Sequence, residues 1–289
     1  MGAGSSIRRG VIEAKAGAKA AASTSEAVQK FIKSRQVWRE NGAKFYAWHD
    51  RTVEEALEPE LQIVDPHHHL WDMRELQGWN GMGLFKQGLY LQEELMEDII
   101  VEFLFLASTR SGSAHPTPTP SLSSRPQGCG HNITHTVYVE THQFQDKDAA
   151  EPVMAPLGEV QFAQGIAAQF ASGKYGAALR AVAGIVGSAD LQKYGADAKP
   201  LLEACKFRCP NFRGIRDGGH YDAKLTDGFR VKAPSKYLDA RFREGFALLE
   251  PLGLTFDAFV FSSQLSDLHS LATAFPKTTI VLNHQGSPM

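Results

Sequence analysis

Short runs of apolar and β-branched residues recur along the chain, and turn residues separate them from stretches with helical periodicity. Each run is brief, rich in Val, Ile and Phe, and near-continuously apolar. This pattern predicts strands that are covered on both faces. The six predicted strands are Leu61–Val64, Thr136–Glu140, Ala181–Val186, Phe212–Arg216, Leu254–Phe261 and Thr279–Asn283.

Helical patterns lie between these strands. Residues 90–98 predict one helix, and two apolar stripes near the C-terminus predict two more that pack against the sheet. The first stripe has i, i+4, i+7 spacing and consists of Phe242, Phe246 and Leu249. The second ends at Pro276 and consists of Leu265, Leu268, Ala272 and Phe275.

Strands that alternate with helices at this spacing indicate parallel βαβ units and an α/β protein. The pattern alone leaves two architectures open, an eight-stranded α/β barrel and an open doubly wound sheet. No Gly-x-Gly-x-x-Gly motif opens a helix after the first strand, which counts against a dinucleotide-binding sheet.

Two segments fall outside this alternation. We predict that residues 1–60 are an N-terminal extension. Residues 101–130 pass from an apolar run into Pro/Ser/Thr low complexity, and so long a loop is unusual inside a compact domain. We predict that residues 101–130 are a low-complexity insertion, which an untrimmed intron in the gene model would explain. The alternative is a disordered surface loop.

Composition limits the classes of partner and the compartment that we expect for this protein. The net charge of −2 gives no electrostatic reason to expect nucleic acid as a partner, and no apolar stretch is long enough to predict a membrane span. Three cysteines fit a reducing compartment, so we expect a cytoplasmic protein. Two alternatives are N-myristoylation at Gly2, from the opening Met-Gly-Ala-Gly-Ser-Ser, and an organellar transit peptide.

The stretch Val64–Asp72, VDPHHHLWD, places three histidines at the end of the first strand. Alternate side chains of a strand share a face, so His67 and His69 are predicted to point one way and His68 the other. Histidine is the commonest metal ligand, and two imidazoles on one face form half of a metal site.

Arg216 ends the fourth strand and shares a face with Gly214, whereas Arg213 points to the other face. Gly214 is expected to leave room for a ligand, and a guanidinium pairs in bidentate fashion with a carboxylate. Arg216 is therefore a candidate for binding an anionic group of the substrate. The alternative is that it forms an internal salt bridge. Glu140 is a weaker candidate at the pocket rim, and His142 is weaker still.

The segment IVDPHHHLWD resembles the Asp-x-His-x-His opening of the amidohydrolase superfamily, specifically the amidohydrolase-related (amidohydrolase 2) family. Five later segments resemble successive strands of that family in the right order: ITHTVYVETH, AVAGIVGSADL, NFRGIRDGG, GLTFDAFVFSSQL and FPKTTIVLNHQGSP. The resemblance implies a (β/α)8 TIM barrel over residues 61–289, with its active site at the C-terminal ends of the strands.

The resemblance also implies a chemistry. His67 and His69 would hold a divalent metal, with zinc as the first expectation, although some members of the family need none. His284, after the sixth strand, would be the catalytic group that polarises a substrate carbonyl. The implied function is hydrolysis of a lactone or related ester, on a small carboxylated or polyhydroxylated substrate, in a monomer or a homo-oligomer. Non-oxidative decarboxylation is the alternative within the superfamily.

The sequence departs from the family at two places. Ser262 stands where the fifth strand of the family often carries a metal-binding histidine, and serine is a poor ligand for a transition metal. Met289 follows the sixth predicted strand closely, whereas the superfamily aspartate ends the eighth. We therefore expect an incomplete barrel of about six of eight βα units, inactive as written. The rival hypothesis is a non-catalytic partial barrel, either a binding module or a gene-model fragment.

Overall fold

The structure, a computed structural model, describes residues 57–72, 89–99, 131–173, 179–224, 231 and 233–288 of the 289-residue chain. The chain divides into two compact units. Among the described residues, the smaller unit holds Asp72, Leu89 and Tyr90, and the larger unit holds all the others. Two short strands, Trp71–Asp72 and Leu89–Tyr90, form a sheet of their own.

The larger unit is built on one parallel six-stranded sheet. Its strands are β1 (Gln62–His68), β2 (Asn132–Val139), β3 (Arg180–Ser188), β4 (Phe212–Arg216), β5 (Thr255–Ala258) and β6 (Ile280–Leu282). All six predicted strands are confirmed. The difference that matters for the site is in β1, which continues past its predicted end at Val64 to His68 and so carries two of the histidines itself.

The order of the strands in the sheet is the same as their order in the chain. Each strand pairs in parallel with the next, from β1 to β6. A doubly wound sheet reverses its strand order at a switch point, whereas in a barrel each strand lies beside its successor. The sequential order decides between the two architectures and confirms the barrel type, of which the described residues contribute six strands.

Helices lie between the strands. They are α1 (Gln92–Ile99), α2 (Pro156–Ala171), α3 (Leu191–Tyr194), α4 (Lys199–Arg208), α5 (Ala240–Phe246), α6 (Leu249–Leu252) and α7 (Leu265–Ala274). Aspartates cap two of them: Asp190 Oδ1 accepts from Lys193 N–H at 2.9 Å, and Asp239 Oδ1 accepts from Phe242 N–H at 2.9 Å. Of the helices in the described ranges, none is long and apolar enough to cross a membrane.

Helix α2 packs against β3 and carries an acidic residue into the core. A Cβ atom on Gly187 of β3 would lie 2.7 Å from Val160 Cγ2, so the glycine allows the helix to approach the strand closely. Glu159 precedes Val160 in the first turn of α2 and is only 1% exposed. Close packing of this helix thus determines where one buried carboxylate lies.

The first apolar stripe is confirmed, because Phe242, Phe246 and Leu249 are all fully buried. The second is wrong in part. Leu268 is buried, but Leu265 is 40% exposed, and the position that faces the core is Leu271 rather than the predicted Ala272. The buried face of α7 therefore carries Leu268 and Leu271. The proposed extension and insertion stay predictions, since residues 1–56 and 101–130 lie outside the described residues.

Candidate functional site

The consecutive histidines at the end of β1 point in two directions. His67 Nε2 and His69 Nε2 lie 3.2 Å apart, and their rings meet edge to face. His68 is buried on the other side, with its Nε2 atom 2.8 Å from Thr136 Oγ1 in β2. The alternation predicted from the strand is therefore observed, and it brings two imidazoles together.

Neighbouring groups hold the backbone of His67 and the ring of His69. The Asp65 carboxylate accepts a hydrogen bond from the backbone N–H of His67 at 3.1 Å. His69 Nδ1 lies 2.8 Å from the carbonyl oxygen of Val139. A carbonyl oxygen only accepts, so Nδ1 of His69 carries the proton, and its Nε2 keeps the lone pair that a metal ion requires.

Burial also determines the charge of the pair. It lowers the pKa of His67 to about 4 and the pKa of His69 to about 3, and the positive charge of Arg216 acts in the same direction on both. Both imidazoles are therefore neutral at pH 7. The neutral form is the one that binds metal ions.

His284 joins this pair from the other edge of the sheet. It lies in the turn Asn283–Gly286 after β6, and its ring centroid is 4.9 Å from that of His67. The backbone is left-handed at both His284 and Gln285, with φ of 50° and 55°. Burial and the charge of Arg216 lower the pKa of His284. The structure thus brings together the three histidines that the sequence singled out.

A buried carboxylate supports the turn that carries His284. Asp257 Oδ2 in β5 accepts a hydrogen bond from Asn283 Nδ2 at 2.9 Å, and burial raises the pKa of Asp257. Sequence reasoning missed Asp257 because an acid inside an apolar strand carries no motif. Its partner Asn283 directly follows the neighbouring strand β6 and becomes evident only from the pairing of β5 with β6.

Arg216 and Glu140 form a buried ion pair. Arg216 Nε donates to Glu140 Oε1 at 2.7 Å, and Arg216 Nη2 donates to the Glu140 carbonyl oxygen at 2.9 Å. The internal salt bridge that the sequence left open is therefore observed, and a substrate-binding role for either residue stays a prediction. Arg213 is exposed and donates to Pro210 O, as expected from its place on the other face.

The prediction that Gly214 leaves room for a ligand is wrong. A Cβ atom at this position would lie 2.3 Å from Thr255 Oγ1 and 2.4 Å from Thr255 O. The neighbouring strand β5 fills this space, so the glycine serves strand pairing rather than substrate access.

The end of β5 carries the departure noted in the sequence. Ser262 opens a short 3₁₀ turn, Ser262–Gln264, and is exposed. A serine hydroxyl is a poor ligand for a divalent transition metal. We therefore assign Ser262 no part in metal binding.

A second group of potential ligands lies at the end of β2. Glu140, His142 and Glu159 each offer one donor atom, and these atoms all lie within 4.8 Å of one another. His142 Nε2 is 2.7 Å from Glu140 Oε2. The sequence gave His142 little weight and did not single out Glu159, since an acid in the first turn of a helix is ordinarily explained by the helix dipole.

Opposing influences act on Glu140. Burial by itself raises the pKa of its carboxyl group, but contact with His142 and the positive charge of Arg216 outweigh burial and lower the pKa to about 2. Glu159 Oε1 accepts three hydrogen bonds, from Tyr138 OH at 2.8 Å, Thr141 N–H at 2.7 Å and Thr141 Oγ1 at 2.9 Å. Both carboxylates are therefore held in fixed orientations.

Known proteins are similar to this chain in sequence. The family model described as amidohydrolase matches residues 64–289. The uncharacterized protein y4mH of Sinorhizobium fredii (strain NBRC 101917 / NGR234) is 27% identical over 230 residues, which cover 78% of this chain and 63% of that protein. This chain therefore spans less than two thirds of that relative's length.

Two solved structures are also similar. Amidohydrolase 2 from Bifidobacterium longum subsp. infantis matches with 16% identity and a TM-score of 0.41, over 79% of this chain and 63% of that chain. A crystal structure of an amidohydrolase from Burkholderia multivorans with bound HEPES matches with 21% identity and a TM-score of 0.46, over 78% of this chain and 58% of that chain.

Proposed function

The chain belongs to the amidohydrolase family, and from this premise we propose that it is a metal-dependent hydrolase that acts on a lactone or a related ester. Its substrate is a small molecule, carboxylated or polyhydroxylated. The observation that carries the proposal is the pair of neutral imidazoles, His67 and His69, whose Nε2 atoms lie 3.2 Å apart beside His284.

The two imidazoles suit a divalent metal, with zinc as the first choice. Zinc–nitrogen bonds of about 2.0–2.1 Å at a tetrahedral angle separate two ligand nitrogens by about 3.3 Å, close to the spacing of this pair. The Val139 carbonyl fixes the ligating tautomer of His69. When bound, a divalent ion supplies Lewis acidity and a nucleophilic water at neutral pH.

His284 would polarise the substrate carbonyl. Its lowered pKa keeps the imidazole neutral at pH 7, and a neutral imidazole donates a hydrogen bond to a carbonyl oxygen through its N–H. Proximity of the His284 and His67 rings supports the idea that both act on one substrate.

Arg216 would bind the acidic part of the substrate, and Glu140 would position Arg216 for it. Arg216 uses Nε and Nη2 to contact Glu140, and a guanidinium has five N–H donors in a fixed fork. Glu140 therefore orients Arg216. The other N–H groups of the guanidinium can donate hydrogen bonds to a substrate carboxylate.

The test begins with purified chain, freed of metal with chelator and reloaded with Zn²⁺. The double variant His67→Ala/His69→Ala is expected to bind one zinc ion fewer per chain than the wild type, and to lose the hydrolysis of any lactone in a panel of carboxylated and polyhydroxylated lactones. His284→Ala is expected to keep zinc and lose turnover. The matched control is His135→Ala/His269→Ala, which removes two exposed imidazoles elsewhere.

Equal zinc content in the wild type and in His67→Ala/His69→Ala would refute the metal assignment. Turnover that survives His284→Ala would refute the catalytic role of His284. Uniform inactivity of a folded, zinc-loaded chain would favour the non-catalytic alternative, and loss of carbon dioxide from an acidic substrate would favour the decarboxylase.

A further inference from the structure

The second group of potential ligands joins three elements of the fold. Glu140 follows β2 directly, His142 lies in the next turn, and Glu159 lies in the first turn of α2. His142 has a left-handed backbone with φ of 61°, which is uncommon for a residue with a side chain. Despite that conformational cost, its Nε2 is directed at Glu140 Oε2, at 2.7 Å.

Each carboxylate of this group uses one oxygen for the protein and leaves the other unused. Arg216 occupies Oε1 of Glu140, and Tyr138 and Thr141 occupy Oε1 of Glu159. Oε2 of both glutamates is buried, and neither makes a hydrogen bond within the described residues. His142 Nε2 lies 2.7 Å from the Glu140 oxygen, so the two atoms converge on one point.

Unpaired buried carboxylate oxygens destabilise the folded state, because burial removes their hydrogen bonds to water and no protein group replaces them. Glu140 is 4% exposed and Glu159 is 1% exposed. Ligands of metal ions are characteristically held by other hydrogen bonds, which fix the orientation of the donor atom. Tyr138, Thr141 and Arg216 hold these two glutamates in that way.

The charges of the group are also unbalanced. Arg216 supplies one positive charge against two carboxylates, and within the described residues Glu159 forms no ion pair with lysine or arginine. His142 contacts the Glu140 carboxylate, which leaves Glu159 Oε2 without a hydrogen-bond partner. A cation that contacts both free oxygens satisfies both glutamates.

We propose that Glu140, His142 and Glu159 bind a divalent transition-metal ion, at a site separate from His67 and His69. Two carboxylate oxygens and one imidazole nitrogen suit Zn²⁺ or Mn²⁺, whereas an imidazole is a poor ligand for Ca²⁺ or Mg²⁺. Because the ligands come from the segment that follows β2 and from α2, the ion links the end of the strand to the helix.

The experiment uses the full chain carrying His67→Ala/His69→Ala, so that the other histidine pair cannot bind metal. After chelator treatment and dialysis against Zn²⁺, this protein is expected to retain one tightly bound ion per chain. Zn²⁺ at about 100 times its Kd is also expected to raise Tm by about 5 °C or more. Glu159→Gln added to this background is expected to abolish both effects.

Glu203→Gln is the matched control, since Glu203 is an exposed glutamate on α4, and it is expected to keep both effects. His142→Asn lies in a partly exposed turn and provides a second variant if Glu159→Gln does not fold, as judged by circular dichroism. A metal-free His67→Ala/His69→Ala protein, or full binding by folded Glu159→Gln or His142→Asn, would overturn the proposal. These outcomes are independent of the proposed hydrolase function, which depends on His67 and His69.

Discussion

Replacement of Arg216 by methionine would leave the Glu140 carboxylate buried without its cationic partner. In the wild type the two side chains are 11% and 6% exposed, and Arg216 makes two hydrogen bonds to Glu140. Methionine fills most of the same volume without charge. The substitution therefore removes the ion pair more than it removes packing.

Two independent routes give the size of the effect. Removal of one partner of a buried ion pair costs about 3–5 kcal/mol, because the other charge stays buried and uncompensated. The fall of the Glu140 pKa from 4.5 to about 2 corresponds to about 3 kcal/mol in favour of the carboxylate, part of which belongs to His142. We therefore expect Arg216→Met to lower the free energy of unfolding by about 3 kcal/mol or more.

The assay is urea unfolding at pH 7 in EDTA, followed by circular dichroism, in a double-mutant cycle with Glu140→Gln. The double variant Arg216→Met/Glu140→Gln is expected to be more stable than Arg216→Met alone, since the unpaired charge is gone. Arg241→Met is the control. Its ion pair with Asp197 is exposed, so its loss is expected to cost about 0–1 kcal/mol.

Two results would contradict this reasoning. One is a loss below about 1 kcal/mol for Arg216→Met, which is the range expected for an exposed pair. The other is strict additivity in the cycle, which would mean that Arg216 and Glu140 do not interact energetically.

Two further predictions concern the sheet on which the site is built. Thr136→Val is expected to cost about 2–5 kcal/mol in urea unfolding, because Thr136 Oγ1 accepts from Val182 N–H and contacts His68 Nε2, and both would lose a buried partner. An unchanged midpoint would refute this role. Gly187→Ala is expected to cost about 1–3 kcal/mol, since its Cβ would collide with α2. Gly165 lies in α2, where a Cβ atom meets open space, so Gly165→Ala is expected to raise the free energy of unfolding by about 0.5–1 kcal/mol. Equal effects of Gly187→Ala and Gly165→Ala would refute the packing argument.

Local pattern was sufficient for the strands and for the direction of the histidines. The period of two follows from the extended backbone of a strand, so His67 and His69 were expected to share a face once a strand was predicted there. The family could also be predicted, because ordered motifs along the chain are a sequence property. His284 followed from the motif at the end of the sixth strand.

Pairing between distant segments could not be predicted from local pattern. The pattern of strands and helices left the barrel and the doubly wound sheet open. The family resemblance favoured the barrel, and the hydrogen-bonded order of the strands confirmed it. The sequence also predicted that Gly214 leaves room for a ligand, whereas the neighbouring strand fills that space. Such errors arise because the occupant of a space is 40 or more residues away in sequence.

The sequence by itself determined the fold class, the family and the three histidines of the candidate active site, because periodicity and motif are local. Only the tertiary structure decided that Arg216 pairs with Glu140 and that Glu159 faces His142 across the junction of β2 and α2. Burial makes these contacts consequential, since a carboxylate without water must find a partner wherever the fold brings one.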